Sequence, residues 1–221
     1  MSTALIVFAK APVAGLAKTR LIPALGADGA AALAARLLEH AAAAGAAAGF
    51  RRLELCVTPD LHHPAFVRLQ ARHALSLEPQ GDGDLGARMD RALSRALRTH
   101  ERALLMGTDA PGLDAARLLQ ADHALADHDA VFVPARDGGY VLVGLRRPAP
   151  ELFHGMTWST GTVMARTRER AQAAGLRWAE LAPLPDIDEP ADLEHLPAGW
   201  RSAAPATPSP HFFRHPDGDT A

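Results

Sequence analysis

The run Ala4-Leu5-Ile6-Val7-Phe8-Ala9 constrains the fold more than any other segment. An unbroken apolar run rich in β-branched and aromatic side chains reads as a strand covered on both faces, the pattern of a parallel sheet. Parallel strands need helical crossovers, and the chain supplies them. From Ala27, an alanine-rich stretch carries Leu33, Leu37, Leu38 and Ala41 at helical spacing, with Gly45 or Gly49 as its stop. Strands are expected over 53–57, 74–77, 103–106, 130–134, 139–145 and 177–181. Helices are expected over 64–72, 85–100, 114–126 and 160–174. The turn Arg136-Asp137-Gly138 predicts a hairpin, and so one antiparallel strand. The fold class is α/β: a single domain with a mostly parallel, doubly wound sheet.

The chain has 221 residues, 48% hydrophobic and 22% charged, enough for one domain with a full core. The domain is expected over 1–197. Residues 198–221 turn to Pro, Ser, Thr, His and Gly without apolar periodicity and read as a flexible tail. The formal net charge of −2 argues against a nucleic-acid partner. Cys56 is the single cysteine, so no internal disulfide forms, and a cytoplasmic location is expected. Its place in an apolar strand reads as core packing. The longest apolar runs fall short of the roughly 20 residues of a membrane helix, so no membrane span is expected. No basic stretch precedes the first apolar run, so no signal peptide is expected either.

In open α/β sheets ligands gather beyond the carboxyl ends of the strands. After the first strand comes Lys10-Ala11-Pro12-Val13-Ala14-Gly15-Leu16-Ala17-Lys18-Thr19-Arg20. Three cations and a glycine suit a polyphosphate, although the P-loop spacing is absent. The plain alternative is a solvated basic loop. After the fourth strand comes Gly107-Thr108-Asp109-Ala110-Pro111. Asp109 is placed to hold a divalent ion against phosphates, or to cap a turn and the following helix. In Pro185-Asp186-Ile187-Asp188-Glu189-Pro190, Asp186 and Asp188 alternate about Ile187, and Asp188 is a candidate second metal ligand. Asp192 reads as part of a helix cap. Gly83 and Arg88 lie where Gln80–Met89 opens a helix whose amides could meet a base or phosphate, or which is merely capped. Asp137 shares its turn with Arg136 and could face an acceptor. Ser159 or Thr160 reads as a helix cap.

Taken together these segments resemble a bacterial family of GT-A-like proteins once catalogued as a domain of unknown function, DUF2064, and often labelled as glycosyltransferases. The carrying residues are Phe8-Ala9-Lys10-Ala11-Pro12 with Gly15 and Lys18-Thr19-Arg20-Leu21, and Gly83-Asp84-Leu85-Gly86 with Arg88-Met89. Gly107-Thr108-Asp109-Ala110-Pro111, Asp137-Gly138-Gly139-Tyr140 and Asp186-Ile187-Asp188-Glu189-Pro190 follow in order. The resemblance implies a nucleotide-diphospho-sugar transferase fold, with Lys10, Gly15, Lys18 and Arg20 on nucleotide phosphates. It implies Asp109 as the metal-binding acid. The last segment resembles one in molybdopterin and phospholactate guanylyltransferases, which carries a second metal role to Asp188. The family's full Asp-x-Asp is reduced, since Thr108 precedes Asp109.

The expectation is a transferase using Mg²⁺ or Mn²⁺, a nucleotide sugar or nucleoside triphosphate, and a small-molecule acceptor. Asp109, Asp137 and Lys18 would carry the chemistry, with Gly83 and Arg88 as further nucleotide contacts. Glycosyl transfer is preferred. Nucleotidyl transfer and a non-catalytic nucleotide-binding module are the alternatives.

Overall fold

The structure, a computed structural model, describes residues 2–200. Its first strand, β1 (Thr3–Lys10), is buried along all but its last residue. The other strands are β2 (Arg52–Thr58), β3 (Ser76–Pro79), β4 (Arg102–Met106), β5 (Ala130–Pro134), β6 (Tyr140–Leu145) and β7 (Trp178–Glu180). They form one sheet in the order β3-β2-β1-β4-β6-β5-β7. β6 runs antiparallel to both β4 and β5, while every other pairing is parallel. The expected fold and its one reversed strand are therefore present.

Alternate β1 side chains enter opposite cores, as strand geometry requires. Leu5, Val7 and Ala9 join one apolar cluster; Ala4, Ile6 and Phe8 join the other. The first cluster also takes in residues of α1 (Ile22–Ala48), α2 (Pro64–His73) and α4 (Ala115–Ala124). The second takes in residues of α3 (Leu85–Leu97) and α5 (Val163–Ala173). At about 25 cal/mol per Å² of apolar surface, two such cores are the main source of stability. Cys56 sits in the second core, where burial pushes its thiol up to about 11, so it is an inert packing residue.

Helix α1 starts earlier than its periodicity indicated. Pro23 fits a first helical turn, because no intrahelical partner exists there for its missing N–H. Gly26, at φ 71°, then breaks the helix into two pieces. The segment Thr19–Ala48 is long and apolar enough to cross a membrane by length and composition alone, a test that a packed core helix also passes. Summed alanines produce this without any long run of large apolar residues. In the fold α1 packs on β1, β2, α2 and α4. The cap of α5 is Thr162, without a side-chain bond, rather than Ser159 or Thr160.

A third, smaller cluster fixes the end of the described chain. Ile187 and Leu196 pack with Leu21, Ala30 and Leu37, and Trp200 joins at the edge. Trp200 lies under the Arg36 guanidinium at 4.4 Å and edge-on to His40 at 5.5 Å. Thus the first three residues of the expected tail, Ala198–Trp200, form a turn held on α1. The remainder, 201–221, lies outside the described residues.

Candidate functional site

Three segments remote in sequence meet beyond the carboxyl ends of β1 and β4. The ammonium of Lys18 donates to Asp109 Oδ1 at 2.7 Å, Asp188 Oδ1 at 2.7 Å and the Ile187 carbonyl at 2.6 Å. Local structure aims each group. The loop after β1 folds back, with Ala17 N donating to Val13 O, and Lys18 itself adopts a left-handed conformation at φ 47°. Asp109 follows the end of β4, and its backbone carbonyl accepts from Ile187 N at 2.9 Å. Ile187 is fully buried, so its two acidic neighbours are directed by an apolar anchor. The Asp192 carboxylate accepts from the amides of Asp188 and Glu189, completing the cap read from the sequence. Asp109 caps no helix, because Asp114 performs that task for α4.

Electrostatically this cluster is unbalanced: one cation faces two carboxylates. The Lys18 side chain is 8% exposed, whereas those of Asp109 and Asp188 are 43% and 40% exposed. Burial alone lowers the Lys18 pKa, but attraction to Asp109 and Asp188 outweighs it and the net direction is up. The ammonium therefore stays charged at neutral pH.

The cluster edges a cleft of about 840 Å³, near the upper end of ordinary ligand pockets. Lys10, Lys18, Arg20, Asp109, Asp137 and Asp188 all line it. Lys10 donates to the Leu16 carbonyl, and Arg20 lies 3.8 Å from Glu189. Three residues expected at the site do not line the cleft. Gly15 shapes the loop at φ 78°, Gly83 leads into α3 at φ 98°, and Arg88 sits within α3. Asp84 caps α3 through the Ala87 amide, which is the structural alternative weighed for that segment.

Asp137 occupies the hairpin turn between β5 and β6. One of its oxygens accepts from Gly139 N at 2.8 Å. Gly138, at φ 92°, lies so close to the Gly161 backbone that a Cβ would collide with it, and Gly138 O accepts from Met164 N. The turn that carries Asp137 is thereby pinned to the start of α5. Beside it a smaller cavity of about 280 Å³ is lined by Arg136, Asp186, His195 and the cleft's own Asp137 and Asp188, among others. Burial and repulsion from Asp137 raise Asp186 to about 6.

Other cleft residues escaped the sequence reading. Gln80, just beyond β3, is buried and donates its side-chain amide to the carbonyls of Ala9 and Cys56. That ties it across the ends of β1 and β2 with the cleft before it. Tyr140 and Trp158 form an aromatic wall, ring centroids 6.3 Å apart. Burial pushes the Tyr140 phenol up, so it remains protonated. The sequence signal for Gln80 was its place at the head of the Gln80–Met89 segment, a few residues beyond an expected strand.

Whether these groups suit a divalent metal follows from the donor set. Among the described residues no group of three or more His, Cys, Asp or Glu side chains could hold an ion. Two carboxylates converging on one cation match Mg²⁺ or Mn²⁺, hard ions that take oxygen ligands and fill other positions from phosphate and water. The Lys18 ammonium shows that a positive charge is stable between them. The residues therefore fit the ion.

Comparison with known proteins agrees with this architecture. Residues 40–160 match the model of the family described as an uncharacterized protein conserved in bacteria, DUF2064. The chain belongs to the DUF2064 family. A nucleotide-diphospho-sugar transferase candidate from Desulfovibrio desulfuricans G20 has a similar structure, with 31% identity and a TM-score of 0.81. The match covers 92% of this chain and 90% of that one. The 4-diphosphocytidyl-2C-methyl-D-erythritol synthase of Anaerococcus prevotii matches with TM-score 0.59 and 10% identity, over 86% of this chain and 94% of its own. Glucosyl-3-phosphoglycerate synthase of Mycobacterium tuberculosis, in complex with Mn²⁺, UDP and glucosyl-3-phosphoglycerate, matches with TM-score 0.52 and 9% identity. That match covers 88% of this chain and 75% of the synthase. The last two share the fold of this DUF2064 protein. No curated protein matches the sequence.

Proposed function

We propose that this DUF2064 protein is a metal-dependent transferase that takes a nucleotide-activated donor, acting as a glycosyltransferase on a nucleotide sugar. The observation that carries the reading is the convergence of Lys18, Asp109 and Asp188 on one point at the edge of the cleft. A Mg²⁺ or Mn²⁺ held by Asp109 and Asp188 would supply a Lewis acid for the charge that develops on the departing diphosphate. Lys10 and Arg20 bind phosphate oxygens from the protein side, and Lys18 joins them. Asp137 has one oxygen committed to Gly139, and its other oxygen accepts a hydrogen bond from the acceptor hydroxyl and orients it. The half-buried rings of Tyr140 and Trp158 give one side of the cleft an apolar wall.

Nucleotidyl transfer is the second reading. It is favoured by the placement of Asp188, from the segment that resembles guanylyltransferases, opposite Asp109. The test is a turnover screen with Mg²⁺, nucleotide sugars, nucleoside triphosphates and a panel of small hydroxylated acceptors. Release of a nucleoside diphosphate from a nucleotide sugar is the expected result. Release of pyrophosphate selects the second reading. Nucleotide binding without turnover of any pair would leave a non-catalytic module and overturn both.

A further inference from the structure

Lys18 has a conflict of duty. To meet a phosphate it needs a free N–H, yet all three of its donors are used, on Asp109, Asp188 and the Ile187 carbonyl. Lys18 holds Oδ1 of both Asp109 and Asp188 where the two acids converge, so a metal that bridges them at that point takes its place. Ammonium and metal ion on one carboxylate pair would repel each other at contact distance. The two arrangements therefore exclude one another.

We propose that Lys18 is an exchangeable internal cation, which fills the carboxylate pair in the free protein and yields it to the metal when nucleotide phosphates offer its ammonium a new partner. The proposal rests on the metal and diphosphate reading above and adds an order to it. Three features support exchange over a permanent ion pair. The carboxylates are far more exposed than the ammonium, so an incoming ion and phosphates can reach them first. Lysine carries its charge on a flexible four-carbon stem, and leaving needs only rotation of that stem. Its departure does not unfasten the two acids, because Asp109 O holds Ile187 N and Asp192 holds the Asp188 amide independently of Lys18. Metal and nucleotide are then coupled ligands, each raising the affinity for the other. Free protein resists adventitious metal, and the charged site assembles only around a donor.

The test is a Mn²⁺ titration of the full chain, read by the electron paramagnetic resonance of free Mn²⁺. It is run without nucleotide and with ADP, CDP, GDP or UDP, one at a time. Wild type is expected to bind Mn²⁺ weakly alone and at least about tenfold more tightly with the nucleotide it accepts. Lys18→Met is expected to bind Mn²⁺ without nucleotide about tenfold more tightly than wild type, and to lose most of the nucleotide effect. Equal or weaker Mn²⁺ binding by folded Lys18→Met overturns the exchange while leaving the metal site intact. Absence of Mn²⁺ binding by wild type with every nucleotide overturns the metal reading itself, and the exchange with it.

A second measurement needs no substitution at Lys18. The sequence holds two lysines, Lys10 and Lys18, so ¹⁵N-lysine labelling gives two ammonium signals, separable with Lys10→Arg. The hydrogen-bonded Lys18 signal is expected in the free protein, unmoved by Mg²⁺ alone and displaced by Mg²⁺ with nucleotide. A signal that keeps its position in the saturated complex overturns the proposal.

Discussion

Two charge clusters sit on the same sheet and behave as opposites. In one, Glu54 on β2 is 1% exposed and ion-paired to Arg95, and to Arg52 at 3.1 Å, while Arg52 also lies 3.4 Å from Glu78. Two acids face two arginines, and the account balances. In the other, Lys18 faces Asp109 and Asp188, which leaves one negative charge in excess beside a cleft. The Glu54 acid is sealed under its partners; Asp109 and Asp188 remain open. Charge pairing by itself does not mark a site. Imbalance, exposure and a place beyond the strand ends do.

Substitutions break this comparison in opposite ways. The largest effect is expected at Asp109→Asn: turnover, measured as kcat/KM, falls about 10³-fold, while the thermal unfolding midpoint barely moves. A comparable loss of stability at Asp109 would make the open cluster structural. Glu54→Gln is the mirror case. It leaves two arginines short of a buried partner and costs about 3 kcal/mol or more in urea unfolding, with nucleotide affinity of the folded protein unchanged.

Smaller effects sharpen the boundary between the two. Gly138→Ala meets both a positive φ and the Gly161 backbone, so about 2 kcal/mol of stability is lost. Because the turn carries Asp137, the Michaelis constant for acceptor rises more than that for donor. Asp186 gives the pH dependence. The unfolded carboxyl releases its proton near 3.9, about its reference value, and the folded one near 6. The native state binds the extra proton between those values, so stability falls as pH rises from about 4 to about 6. Asp186→Asn removes the penalty. Urea unfolding of the metal-free protein should show a gain of about 1 kcal/mol near pH 7.5, reduced for the group's partial exposure, and little change near pH 4.

Much of the fold was legible because its signals are local. β1 announced itself through continuous apolarity, and the hairpin through the glycines after Asp137. Asp109 and Asp188 were legible as strand-end and loop acids. Their shared ion was expected from the family resemblance; the packing of Ile187 with Leu21 and Leu37 that brings the loop there joins distant parts of the chain and has no local signal. The start of α1 was obscured by Pro23 and Gly26, which punctuate a loop and a helix start equally well. Gln80 was hidden for another reason: a polar residue after a short strand looks like any turn until two strand carbonyls claim its amide. Gly83 and Arg88 do not line the cleft, and the segment that carries them caps and builds α3.

The central claim is tested most directly by a crystal structure of the wild-type protein with Mn²⁺ and its nucleoside diphosphate, located by anomalous scattering. The predicted result is a manganese peak bonded to both Asp109 and Asp188, with the diphosphate on the ion and Lys18 on the diphosphate. A nucleotide seated elsewhere, or a manganese ion away from that carboxylate pair, would contradict it.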